Sequence, residues 1–232
     1  MSKKTRLGLA LGLGAAAVAV PAVGGRKLNS WQRTWGATED ECLRAMPGDE
    51  LVDDAEYLTT RAITVDAGPE DIYPWLVQMG YQRGGLYSYD FLDRLFGFLD
   101  APSAKVILPE WQTLAAGDEI PIGRGGNFPV KDLKKDEFLL LAGEAEDGST
   151  WTWSTALYPT GDGRTRLVTR NAGMGGAFHH RFFMAGMDLA AFIMVRRWLQ
   201  VLKQRAEGLQ AERAEAALEN AAPPGREPAG VE

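Results

Sequence analysis

Asp188 is the carboxylate in this sequence best placed for acid–base chemistry. If a helix runs back through Met184, Asp188 shares an apolar face with Phe192, Val195 and Leu199, where burial raises a carboxylate's pKa. The preferred reading is plainer: Asp188 is the N-cap of a helix that starts at Leu189. Arg83, Tyr87, Tyr89 and Asp90 surround a glycine turn and could gate or recognise a ligand, although hydrogen bonding within the fold explains the tyrosines equally well. His179 and His180 are the two histidines. Adjacent loop residues point apart, and no cysteine or Asp/Glu spacing completes a zinc or facial-triad site, so neither metal nor cofactor is expected. Gly123-Arg124-Gly125-Gly126 lacks the Lys-Ser/Thr ending of a phosphate loop and reads as a hairpin turn. There is no G-x-S-x-G element, and Ser88 suits a helix cap better than a nucleophile.

These groups must be held by elements that the sequence punctuates clearly. Ile63, Thr64 and Val65 favour a strand over 60–65, with Ile63 and Val65 on one side. Gly68-Pro69 then opens a helix whose Ile72, Trp75, Leu76 and Met79 form one buried stripe, with Glu70 and Asp71 at its positive end. Pro74 predicts a kink, or a helix that properly starts there. Arg83-Gly84-Gly85 supplies a turn, and Ser88 caps a second short helix with Leu92, Leu95, Phe96 and Leu99 on its inner face.

Five further strands are expected at 118–122, 127–133, 137–143, 150–158 and 164–171, separated by turn residues, with one more possible at 105–108. Tight turns between consecutive strands imply an antiparallel meander. Trp151, Trp153, Thr155 and Leu157 share one face, either filling a core or walling a ligand cavity. In the last strand Leu167 with Thr165 and Thr169 is the cheaper inward set; were the pocket partly polar, Arg170 would be the candidate for an anionic head group. A final helix over 189–207 carries Phe192, Val195, Trp198, Leu199 and Leu202 on its apolar half and extends to about Asn220. The apolar lining candidates are Trp75, Trp151, Trp153, Phe192 and Trp198; the polar ones are Arg83, Tyr87, Tyr89 and Arg170.

Composition bounds the rest. The 232 residues fit one domain with tails: 1–27 an anchor or signal segment, 28–58 a draping linker, 59–207 the folded domain, and 208–232 an Ala/Glu/Pro-rich tail. A formal charge of −6, with no cluster of basic residues among aromatics, argues against nucleic acid as a partner. Cys42 is the single cysteine, so no intrachain disulfide forms. Lys3, Lys4 and Arg6 precede an uncharged run from Leu7 to Gly25, which reads as an uncleaved membrane anchor or as a signal peptide cleaved near Ala19 or Ala22. Trp31 and Trp35 follow, to dock on the domain or rest at a membrane interface.

TRAITVDAGPEDIYPWLVQMGYQRGGLYSYD, ILPEWQTLAAGDEIPIG and TWTWSTALYPTGDGRTRLVTR resemble an uncharacterised bacterial branch of the START-like superfamily, which includes plant pathogenesis-related allergens, lipid-transfer domains and polyketide cyclases. The resemblance spans roughly residues 30 to 207. It implies an α+β helix-grip fold, a curved antiparallel sheet of about six or seven strands wrapped around a long C-terminal helix. It carries no family-wide catalytic motif, so no active-site residue transfers with it. The expected function is binding of a hydrophobic small molecule or lipid between sheet and helix. The alternatives are a cyclase-like enzyme in which Asp188 or a tyrosine moves a proton, and an envelope domain that binds another protein.

Overall fold

A computed structural model describes residues 31–123, 126–144, 148–174 and 180–221, with side chains given for all of these except 180–187 and 221. Helix α1 (Glu39–Leu43) precedes strand β1 (Tyr57–Val65), which leads into α2 (Pro69–Val77) and α3 (Asp90–Leu95). The chain then forms β2 (Glu119–Ile122), β3 (Gly126–Lys134), β4 (Phe138–Glu144), β5 (Thr150–Pro159) and β6 (Thr165–Met174), and ends in α4 (His180–Ala221). Every paired neighbour is antiparallel, in the order β1-β6-β5-β4-β3-β2, so the first strand closes against the last. This is the expected helix-grip architecture.

Pairing register sorts the two faces. Leu167 lies opposite both Ile63 and Leu157, and Thr169 opposite both Arg61 and Thr155, so these residues share the concave face with Trp153 and Leu141. Val65, Leu139, Leu141, Leu157 and Leu167 pack there with Trp198, Leu199 and Leu202 of α4. Burying such aliphatic and aromatic side chains stabilises by about 1.5–3 kcal/mol each. The convex face is covered too. Met46 joins Ala62, Ala156 and Val168 in a second cluster, and Gly48 (φ +90°) sits so close that a Cβ would strike Leu140. Residues 36–49 therefore pack on the convex face where solvent would otherwise meet it.

Four local expectations are corrected. Residues 105–108 form no strand: the side chain of Gln78 takes their ladder groups instead, donating to Val106 O (3.2 Å) and accepting from Leu108 N (2.9 Å). Helix α2 starts at Pro69, as its first-turn position suggests, and continues through Pro74, so it does not start at Pro74. Ser88 does not cap α3; Tyr89 occupies that position without a side-chain bond, and Ser88 Oγ reaches Asp93 Oδ2 at 2.6 Å. Leu95 and Phe96 are exposed, while Leu99 of the same expected stripe is buried.

Candidate functional site

The concave face changes character along its length. At the β1 start and β6 end it presents Tyr57, Thr59, Arg61, Thr169 and Asn171; toward β3 it presents Phe128, Trp151 and Trp153. Helix α4 runs along this face and brings Asp188 to the polar end. Asp188 is not the N-cap. The helix continues back to His180, and the carboxylate finds its partners in other elements rather than in the free N–H groups of a helix start. Oδ1 accepts from Tyr57 OH (3.0 Å) and Arg61 Nη2 (3.5 Å), and Oδ2 from Arg33 Nε (3.1 Å) and Gln32 Nε2 (3.3 Å). Burial, then the negative Asp188 alongside, pushes the Tyr57 hydroxyl's pKa up, so it stays a neutral donor.

Arg61 is 1% exposed and spans this centre. Its Nε donates to Gln32 O at 2.8 Å and its guanidinium lies 5.5 Å from the centre of the Phe192 ring, yet Nη1 is buried with no partner. Thr59 Oγ1, two residues back on the same face, is also buried without one. Leaving such groups unpaired costs about 1–3 kcal/mol apiece. Asn171 lies opposite Thr59 in the register, and Trp153 opposite Asn171.

The aromatic wall adjoins that polar end. Trp153 donates from Nε1 to Thr169 Oγ1 at 2.9 Å, and its ring meets Phe128 and Trp198 edge-on with centroids 5.4 Å apart in each case. Phe128 meets Trp151 at the same spacing. Trp198 Nε1 is a third buried donor without a partner. Phe128, Trp151 and Trp153 are only partly buried, whereas Trp198 is enclosed.

The structure gathers Trp151, Trp153 and Trp198, with Phe192 nearer the polar end, and disperses the other expected ligand contacts. Trp75 of α2 and Tyr87 stack edge-on with ring centroids 5.9 Å apart. Burial pushes the Tyr87 pKa up to about 12, and its hydroxyl accepts from Gln78 Nε2 at 2.6 Å. Tyr89 is half-exposed with Arg197 5.7 Å above its ring. Arg83 lies over Trp111 at 4.4 Å, donates to Val77 O at 2.7 Å, and lines an open cleft of about 320 Å³ with Glu110, Asp118 and Glu119. Arg170 is on the convex face, because the inward set of β6 is Leu167 with the threonines. There it donates to Glu41 O, Cys42 O, Arg44 O, Asp49 Oδ2 and Thr60 Oγ1.

Sequence reasoning missed Tyr57, Thr59 and Arg61. The signal for them was the period of two that sets Ile63 and Val65 inward, extended back along the same strand. The partners from 32–33 carried no such signal. Among the described residues no His/Cys/Asp/Glu group is arranged to hold a metal, and no helix is long and apolar enough to cross a membrane. The run 7–25 and His179 lie outside the described residues.

No protein-family model matches the chain, and no curated protein matches it. Solved structures similar in fold include a hypothetical protein from Helicobacter pylori (12% identity, 70% of this chain and 96% of that one, TM-score 0.43). A conserved protein from Geobacillus kaustophilus aligns at 14% identity over 65% and 95% of the two chains (TM-score 0.39). CalU16 from Micromonospora echinospora aligns at 13% over 66% and 86% (TM-score 0.33).

Proposed function

We propose that this protein binds a hydrophobic small molecule or lipid whose polar end carries hydrogen-bond acceptors. One observation carries the reading: three buried groups without partners, Thr59 Oγ1, Arg61 Nη1 and Trp198 Nε1, lie on the concave face or on the helix packed against it, as do the partly buried aromatics Phe128, Trp151 and Trp153. An acceptor on the ligand would satisfy the orphaned groups, and its apolar body would gain about 25 cal/mol per Å² of area buried against the rings. Few polar groups beside a large apolar wall is the usual make-up of a small-molecule site. Asp188 orients Arg61 and Tyr57 in this scheme. Both its oxygens are occupied, so a cyclase-like proton transfer would first have to break one of those bonds.

The proposal extends to location: residues 1–27 tether the domain to a membrane, a natural source of such ligands. Native mass spectrometry with organic extraction on the full-length protein tests the ligand reading. A co-purifying amphiphile is expected, with retention lowered roughly tenfold in Thr59→Val, which removes one hydroxyl at almost constant volume. Protein that carries no small molecule and takes up no apolar fluorescent probe would overturn it.

A further inference from the structure

Helix α4 is buried along its sheet-facing side, yet two large aliphatic residues stand on the opposite side of its early turns: Leu189 is 43% and Ile193 44% exposed. Trp31, 53% exposed, stacks edge-on against Phe192 at 5.4 Å and so flanks the same turns. On the other flank Arg197 covers Tyr89, directly before α3, which itself exposes Phe91 and Leu95. Arginines ring this apolar area. Arg196 lies 5.2 Å over Trp35, Arg33 5.3 Å over Tyr57, and Arg197 5.7 Å over Tyr89. Of the carboxylates on these elements, Asp188 is engaged by Arg33 and Arg61, Asp90 by Ser103, and Asp93 accepts from Ser88 through Oδ2.

We infer that this face lies on the membrane surface, with Trp31, Leu189 and Ile193 entering the headgroup boundary and Arg33, Arg196 and Arg197 meeting anionic headgroups. The inference rests on the tether proposed above. The uncharged run ends at Gly25, and the chain enters the described structure at Trp31, on this face. Those few residues span at most about 20 Å extended, which holds the face at the bilayer. An acidic protein that concentrates arginines around an apolar area next to its membrane segment matches an interfacial contact in chemistry and position.

The test uses the full-length chain in phosphatidylcholine/phosphatidylglycerol vesicles, in a Cys42→Ser background with a fluorophore on Ile193→Cys. The same label on Leu218→Cys, 25 positions and about 37 Å farther along α4, is the reference. In vesicle-bound protein the label at 193 should be about threefold less accessible to aqueous iodide than at 218, and should be quenched by nitroxide-bearing lipid. Arg196→Glu should reduce that shielding on anionic but not on neutral vesicles. Protein that binds vesicles while both labels stay equally accessible keeps the tether and overturns the inference. Protein that stays off vesicles altogether overturns both. Shielding at 193 without any lipid quenching assigns the face to a second copy of the chain or another protein, and likewise overturns it.

Discussion

Asp188 shows how the preferred reading of one side chain, an N-cap, can give way to its alternative, a buried place within the helix. Its place on the apolar side of α4 follows from the helical period, and burial there is what the structure contains. What the period could not show is that two arginines, a tyrosine and a glutamine from outside the helix converge on it. A buried charge is tolerable only when such partners are supplied, and removing one partner strands the other. Asp188→Asn should therefore destabilise by about 3–5 kcal/mol in urea unfolding, because Arg61 keeps its charge in a dry site. The double variant Arg61→Met/Asp188→Leu should recover much of that loss. If Asp188→Asn unfolds at the wild-type midpoint, the cluster has no structural weight.

Between elements, the clearest device is the way β6 holds α1 on the convex face. Arg166 grips Glu41 with two nitrogens (2.8 and 2.7 Å), and Arg170 donates to the carbonyls of Glu41, Cys42 and Arg44, which α1 leaves open at its end. Burial opposes ionisation of Glu41, but Arg166 and Thr38 outweigh it and hold the carboxyl below its usual value. Thr38 and Glu41 also close a reciprocal cap at the start of α1. Only a forked guanidinium reaches this many acceptors at once. Arg170→Lys should consequently cost about 2–4 kcal/mol in thermal or chemical unfolding, with the loss accompanied by faster proteolysis within 38–52. Unchanged protection of that stretch would show that the convex face is held by Met46 and its neighbours alone.

For the molecule as a whole, alkaline pH reports on the packed core. Burial raises the hydroxyl pKa of Tyr87 and of Tyr73 from 10.0 to about 12. An acid whose folded pKa is raised contributes stability that is fully present below the unfolded value and is lost as pH rises through the folded one. Stability should therefore hold to about pH 10 and fall between pH 10 and 12, by roughly 2–3 kcal/mol for each tyrosine. Tyr87→Phe should flatten part of that decline in unfolding midpoints measured across the range. A curve flat to pH 12 in the wild type would contradict the enclosed setting of both rings.

By itself the sequence determined the elements. Short-period alternation, glycine turns and a long apolar helical stripe are local signals, which is why five meander strands and two short helices could be placed within a few residues, whereas the last helix starts nine residues before the expected 189 and α1 was not anticipated. It also determined which residues of β5 and β6 share a face, since alternation follows from backbone geometry. Tertiary structure alone decided what those faces meet. The closure of β1 on β6 joins residues more than a hundred positions apart, and it is this contact that sets Thr59 and Arg61 opposite Asn171 and Thr169. The packing of 31–52 decided that Arg170 serves the convex face and that Asp188 has partners, because a polar side chain is placed by the distant groups that satisfy it, and those leave no periodic trace in the chain.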